Sequence, residues 1–333
     1  MAKELHVTVL HGSIKAARSG PSYNANTHKF INMVSSYLEE ASAKGMLPHL
    51  LVSNAYPITG NIPAYVRNPE RAKARVRFRA TTLNPKTMSQ NNPIRMLRRL
   101  AASYGVNILY GPVYEVAGPR NYVTTVMIKP DGSLEKYRKV MLTPAEEELG
   151  LTRGKTPGIF DVVDVGGRPI GRIGVFIDED LFSPVLFEAF YINKVHLVIG
   201  HMMPYRSRFL PPPQKEGPIV TMKHCFIDKI LTARSIDAGA PLVLVGGVLN
   251  IYTSGRKLHE RHWMPTTVLD PEDPENDICL TMSTARTSSR PFMTVEDVDK
   301  FKRIVVDVSE SPQKREQDCT ETAKWFKKMC MKK

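Results

Sequence analysis

The residue best placed for chemistry is Asp178. An apolar run, Ile173-Gly174-Val175-Phe176-Ile177, gives way abruptly to Asp178-Glu179-Asp180, the pattern of a buried strand whose carboxyl end meets a polar turn. Pro184 follows, and then a helix-like run from Val185 to Tyr191. Strand, sharp turn and helix together lift one side chain out of a backbone corner, as in nucleophile elbows. The side chain at this corner is a carboxylate.

A second grouping is basic. Between Arg67 and Arg99 ten lysines and arginines face a single acid, Glu70. Within it Arg71, Lys73, Arg75, Arg77 and Arg79 recur at every second residue, with Ala72, Ala74, Val76 and Phe78 between them. That period predicts an extended segment with one basic edge. Such an edge either binds RNA or another polyanion or stands solvated.

Other spacings carry less. Gly150-Leu151-Thr152-Arg153-Gly154-Lys155-Thr156 is one residue short of a phosphate-binding loop, and no buried strand precedes it. His259 and His262 lie three apart, a helical spacing that would need a third ligand to hold zinc. His196 and His201 flank an apolar strand, where packing is the usual role. There is no glycine-rich dinucleotide loop and no His-Glu-x-x-His motif. No metal and no cofactor are expected.

The elements that would position these residues alternate between strand and helix. His6–Leu10 reads as a strand, and a helix follows over about 25–44, with Phe30, Ile31, Val34, Tyr37, Leu38 and Ala41 as its apolar stripe. Leu50–Val52 is a short strand leading into Ser53-Asn54-Ala55-Tyr56-Pro57-Ile58-Thr59-Gly60. Asn92-Pro93 starts a second helix that runs to Gly105. A hairpin turns at Pro130-Asp131-Gly132, and strands are expected over 160–165, 170–177, 195–199, 242–245, 266–269, 278–282 and 304–308. A helix is expected over 219–238.

In this order the chain resembles the nitrilase, or carbon–nitrogen hydrolase, superfamily. Gly174, Val175, Ile177, Asp180 and Pro184 fall in register with its Gly-Val-x-Ile-Cys-x-Asp and Phe-Pro-Glu pattern, and the nucleophilic cysteine falls on Asp178. Tyr137-Arg138-Lys139-Val140-Met141-Leu142 is similar to the family's Tyr-Arg-Lys-x-x-Leu, which would make Lys139 the oxyanion-stabilising lysine. Glu147, within Glu146-Glu147-Glu148, is taken as the second, structural glutamate, its neighbours being the alternatives. The general-base glutamate falls on Asn54 or Ala55, according to register, and neither accepts a proton near neutral pH. The resemblance implies an α/β fold, a four-layer α-β-β-α sandwich, assembled into a dimer or larger homo-oligomer.

The remaining bounds are coarse. The 333 residues are 42% hydrophobic with a net charge of +13, which favours an acidic partner without proving one. Four scattered cysteines make no close pair, and no apolar run is long enough to span a membrane, so a reduced, cytoplasmic protein is expected. One domain over 1–310 is expected, with a basic insertion over about 64–91 and a basic tail over 311–333. An amide or nitrile carbon requires a strong nucleophile, a base and an oxyanion donor. Without the cysteine and the glutamate, the first reading is a non-catalytic binding or scaffold protein for an anionic partner, RNA or a ribonucleoprotein. The alternative is an active carbon–nitrogen hydrolase working through Asp178 and Lys139.

Overall fold

The computed structural model describes residues 4–308, apart from 67, 85, 204–213, 217–218, 222–223, 253–257, 265, 270–277, 281–286, 291–292 and 299–300. The expected tail over 311–333 lies outside the described residues.

The amino-terminal half runs β1 (Glu4–Leu10), β2 (Ser13–Lys15), α1 (Gly20–Ala43), β3 (Leu50–Val52), α2 (Ile62–Tyr65), α3 (Pro69–Arg79), α4 (Pro93–Tyr104), β4 (Asn107–Ala117), β5 (Arg120–Ile128) and β6 (Leu134–Arg138). Then follow α5 (Pro144–Glu148), β7 (Gly158–Val163), β8 (Pro169–Ile177), α6 (Pro184–Ile192), β9 (Leu197–His201), β10 (Gln214–Glu216), β11 (Ile219–Thr221) and α7 (His224–Ala238). The last strands are β12 (Leu242–Val245), β13 (Gly247–Tyr252), β14 (Leu258–Met264), β15 (Thr266–Leu269), β16 (Ile278–Leu280), β17 (Thr287–Arg290), β18 (Met293–Val298) and β19 (Phe301–Asp307).

Two sheets stack face to face. One has the order β17-β18-β19-β1-β3-β4-β5-β6, the other β16-β15-β12-β9-β8-β7, and a smaller sheet, β10-β11-β14-β13-β2, lies apart in pairing from both. The alternation of side chains along each strand assigns the layers. Leu5, Val7 and Val9 of β1 join Ile173, Val175 and Ile177 of β8 in the core between the sheets. Leu10 and Leu51 turn the other way, toward Phe30 and Val34 of α1 and Leu97 of α4. Phe176 and Val198 likewise turn outward, to Phe187 and Phe190 of α6 and Leu231 of α7. The result is helix, sheet, sheet, helix: the expected α-β-β-α sandwich.

Helix α4 follows its sequence signals closely. The Asn92 side chain accepts the Ile94 N–H at 2.9 Å, and Gly105 closes the helix in the left-handed region at φ 66°. Helix α3 corrects the sequence reading, because residues 69–79 are not an extended edge. The Asn68 side chain accepts the Arg71 N–H at 2.9 Å, Pro69 opens the helix, and Ala72 and Val76, one turn apart, are buried. A cap and an apolar pair at i, i+4 decide the conformation. The period-two recurrence of bases does not, since charged side chains gain nothing from a sheet edge that has no partner. Further on, Ile219–Thr221 pairs with β14 as a strand, so the expected helix over 219–238 begins only at His224. The segment bearing His259 and His262 is strand β14, so their helical spacing has no bearing on it.

Candidate functional site at the strand-to-helix elbow

Strand β8 stops at Asp178, whose φ of 47° lies in the left-handed region. Aspartate enters that region more readily than most residues with a side chain. The chain then makes a 3-10 turn, Asp178–Phe182, and enters α6. Close packing of α6 on its sheet fixes the corner from behind. A Cβ on Gly174 would lie 2.8 Å from the Phe190 ring of α6, and within the sheet one on Gly200 of β9 would lie 2.0 Å from Phe176 of β8. Only glycine allows that approach.

Asp180 ties the turn to the neighbouring sheet. Its carboxylate accepts the N–H groups of Ile177 at 3.1 Å, Val140 at 3.0 Å and Met141 at 2.7 Å, and the Tyr137 hydroxyl at 2.7 Å. Burial pushes its pKa up to about 7, against the pull of Lys139 and of these donors. The segment it holds, just after β6, is the one that carries Lys139.

Lys139 is fully buried, and its Nζ donates to both oxygens of Glu146, at 2.9 and 2.7 Å. Burial opposes its charge, but Glu146, Asp178 and Asp180 together hold its pKa above the ordinary lysine value. Glu146 is itself fixed by a capping box at the start of α5. It accepts the Thr143 N–H at 2.7 Å while the Thr143 hydroxyl accepts the Glu146 N–H at 3.2 Å.

Glu147 is corrected by this geometry. It turns to the surface and pairs with Arg153 at 2.6 Å, so Glu146 is the glutamate that reaches Lys139. The helix geometry explains the choice, because consecutive residues point about 100° apart and only one can face inward.

Asp178 completes the cluster. Its Oδ1 accepts the Met203 N–H at 2.6 Å, and its Oδ2 accepts the Tyr56 hydroxyl at 2.9 Å and lies 3.5 Å from Lys139 Nζ. Burial raises the Asp178 pKa, with Lys139 pulling it down and Glu146 adding to the rise. The Tyr56 phenol is held far above its usual range by burial and by Asp178. Asn54 and Ala55 are both buried in the same loop and neither brings an acid; Tyr56 is the residue of that loop that reaches the elbow.

Beyond this cluster stands His201, at the end of β9. Its Nε2 lies 3.0 Å from the Ser53 carbonyl. A carbonyl can only accept, so Nε2 carries the proton and Nδ1 the lone pair. Burial drops the His201 pKa to about 4, which keeps the ring neutral. Among the described residues no group of three or more His, Cys, Asp or Glu is arranged to hold a metal.

The basic helix divides in two. Arg75 Nη1 donates to the carbonyls of Ala17, at 3.3 Å, and of Arg18. The Arg79 guanidinium lies 4.6 Å from the Tyr23 ring centroid. Both therefore hold α3 against the amino end of α1. Arg71 and Arg77 are exposed and Lys73 is half-buried, and none of the three makes an ion pair among the described residues.

A family model described as carbon–nitrogen hydrolase matches residues 16–216. The chain belongs to the carbon–nitrogen hydrolase family. Solved structures agree on the fold. A carbon–nitrogen hydrolase from Helicobacter pylori is 15% identical, with 94% of this chain and 92% of that one covered and a TM-score of 0.60. Nit3 of Saccharomyces cerevisiae, a member of branch 10 of the nitrilase superfamily, is 16% identical over 95% and 94%, with a TM-score of 0.61. An amidase from Nesterenkonia is 14% identical over 97% of each chain, with a TM-score of 0.54. No curated protein matches.

At the elbow of this carbon–nitrogen hydrolase chain, then, sequence reasoning placed Lys139 and Asp178, and the structure brings them to 3.5 Å. It left Glu146 as one of three alternatives, and it missed Tyr56 and the part played by Asp180. Glu146 had a readable signal, the Thr143-x-x-Glu146 capping box. Tyr56 had none, because its approach to Asp178 spans two sheets.

Proposed function

We propose that this member of the carbon–nitrogen hydrolase family does not cleave carbon–nitrogen bonds and serves as a binding or scaffold protein for a polyanionic partner, RNA or a ribonucleoprotein. The observation that carries this reading is the state of Asp178. At the position where the family resemblance expects a cysteine thiolate stands a fully buried carboxylate with both oxygens engaged. A carboxylate is a weak nucleophile, and its attack on an amide would form an anhydride at the expense of an amine leaving group. The loop Ser53–Gly60 holds no acid to act as base. The ammonium of Lys139 donates to both oxygens of Glu146 and so is already engaged by a carboxylate.

The partner is argued from charge. A net charge of +13 is joined by a helix on which Arg71, Lys73 and Arg77 have no acidic partner among the described residues. Val185 and Ile192, seven residues apart on α6 and largely exposed, suit the dimer or larger homo-oligomer expected of the family. Among the described residues no helix is long and apolar enough to cross a membrane. The scattered cysteines, which form no close pair in sequence, suit a reducing, cytoplasmic compartment. The test pairs two assays on the purified chain: ammonia release from amides and nitriles, and binding of labelled RNA, DNA and inorganic polyphosphate at low salt. Binding without turnover supports the scaffold. Turnover that needs Asp178 and Lys139 would instead support an active hydrolase with an altered site.

A further inference from the structure

Phe78 is 75% exposed on the same helix that carries the bases. Arg71, Ala74 and Phe78 are spaced i, i+3, i+7 and so form one stripe along α3, on the side away from the buried Ala72 and Val76. Arg77 and Lys73 lie along one side of that stripe. The ring lies off the buried face of Ala72 and Val76, in water beside exposed cations that make no ion pair among the described residues. Ala74, small and exposed, leaves the stripe open beside the ring.

The ring is also preordered. The Arg79 guanidinium lies 4.8 Å from the Phe78 centroid and 4.6 Å from that of Tyr23, so Tyr23, Arg79 and Phe78 are linked in succession. Holding the ring in place before binding reduces the rotamer freedom lost on binding.

We infer that this stripe is a platform for single-stranded nucleic acid, in which Phe78 stacks on a base while Arg71, Lys73 and Arg77 hold the adjoining phosphates. The inference rests on the polyanion reading above and narrows it. Phosphate alone explains the cations but gives no use to Phe78. A duplex hides the faces of its bases, so a single ring on a convex helix cannot stack without unpairing them. Single strands offer both features at once, and stacking on aromatic side chains tolerates any base.

The experiment measures fluorescence anisotropy with four labelled ligands of equal length: single-stranded RNA, single-stranded DNA, duplex DNA and an abasic phosphodiester with the same charge. Wild type, Phe78→Ala, Phe78→Tyr and the double variant Arg71→Ala/Arg77→Ala are compared. Single strands should bind wild type about fivefold to a hundredfold more tightly than the abasic chain. Phe78→Ala should abolish that advantage and leave abasic binding unchanged, Phe78→Tyr should keep it, and the arginine variant should weaken all four. Preference for RNA or for DNA identifies the sugar and supports the platform either way. Equal binding of base-bearing and abasic strands, or no effect of Phe78→Ala, overturns the platform and leaves the polyanion reading standing. So does unlabelled polyglutamate displacing the labelled single strand as effectively as unlabelled single strand does, which would point to an acidic protein. If wild type binds none of these ligands at low salt, the polyanion reading itself falls.

Discussion

Lys139 donates to both oxygens of Glu146, at 2.9 and 2.7 Å, while Asp178 stands farther away at 3.5 Å. The ammonium is thus already neutralised by Glu146. Asp178 is a surplus carboxylate, anchored by the Tyr56 hydroxyl and the Met203 N–H more than by charge. Removing Asp178 would not strand the lysine.

The stabilities of three variants should therefore fall in a fixed order. Lys139→Met leaves the buried carboxyls of Glu146, Asp178 and Asp180 with no cation and should be the most damaging, at about 3–5 kcal/mol. Asp178→Ala strands the Tyr56 hydroxyl and the Met203 N–H and should lose about 1–3 kcal/mol. Asp178→Asn keeps an acceptor for Met203, tolerates the left-handed backbone and removes the surplus charge, so it should stay within about 1 kcal/mol of wild type. Denaturant unfolding measures all three. Asp178→Asn proving as harmful as Lys139→Met would show that the Asp178 charge is what holds Lys139.

His201 should leave a mark on the acid side. Its folded pKa of about 4 lies below the ordinary 6.5. Between these values the unfolded chain binds a proton that the folded chain refuses. Stability from this group is present above pH 6.5 and is lost as pH falls toward 4, by up to about 3 kcal/mol. Asp180, with a raised folded pKa, acts in the opposite sense over an overlapping range, so wild type alone does not separate them. His201→Gln keeps a donor for the Ser53 carbonyl and cannot titrate. The difference in unfolding free energy, wild type minus His201→Gln, should fall as pH is lowered from 6.5 to 4. A difference independent of pH would mean that the ring is not held neutral.

Much of the fold was legible because burial imposes a period. The alternation of Leu5, Val7 and Val9 against Leu10, or of Val175 and Ile177 against Phe176, records which layer each side chain enters. The elbow was legible for a related reason, since a β-branched run ending in acids and a proline has few other uses. Helix α3 was not, because the eye follows charges, whereas the conformation is decided by Asn68, Pro69 and the pair Ala72 and Val76. The interior of the site was only half legible. Lys139 and Asp178 lie in local motifs, but Tyr56 meets Asp178 across 122 positions of sequence, a contact that only the stacking of two sheets creates.

Splitting the basic helix gives a salt-dependence prediction. Arg71, Lys73 and Arg77 are the residues available to phosphates, whereas Arg75 and Arg79 are engaged with the loop and ring of the α1 amino end. Replacing the first three with Ala should lower the slope of log affinity against log salt by up to about 2 for a single strand, at roughly 0.7 per neutralised phosphate. Anisotropy titrations at several salt concentrations measure it. An unchanged slope would reduce the helix to a solvated face.

Restoring only the nucleophile should restore nothing. In Asp178→Cys the thiolate would face Lys139, but Asn54 and Ala55 still supply no base, and Tyr56 occupies the approach from that loop. No amide or nitrile hydrolysis is expected from the variant. Steady turnover would show that another group, overlooked in the elbow, takes the proton.

The most direct measurement is ammonia release by the wild-type chain and by Asp178→Asn, side by side, on a panel of aliphatic, aromatic and ω-amino amides and nitriles across pH 5 to 9. A structural Asp178 predicts release at the level of buffer for both proteins, with both folded. Release by wild type that vanishes in a folded Asp178→Asn would make Asp178 a catalytic residue and contradict the account.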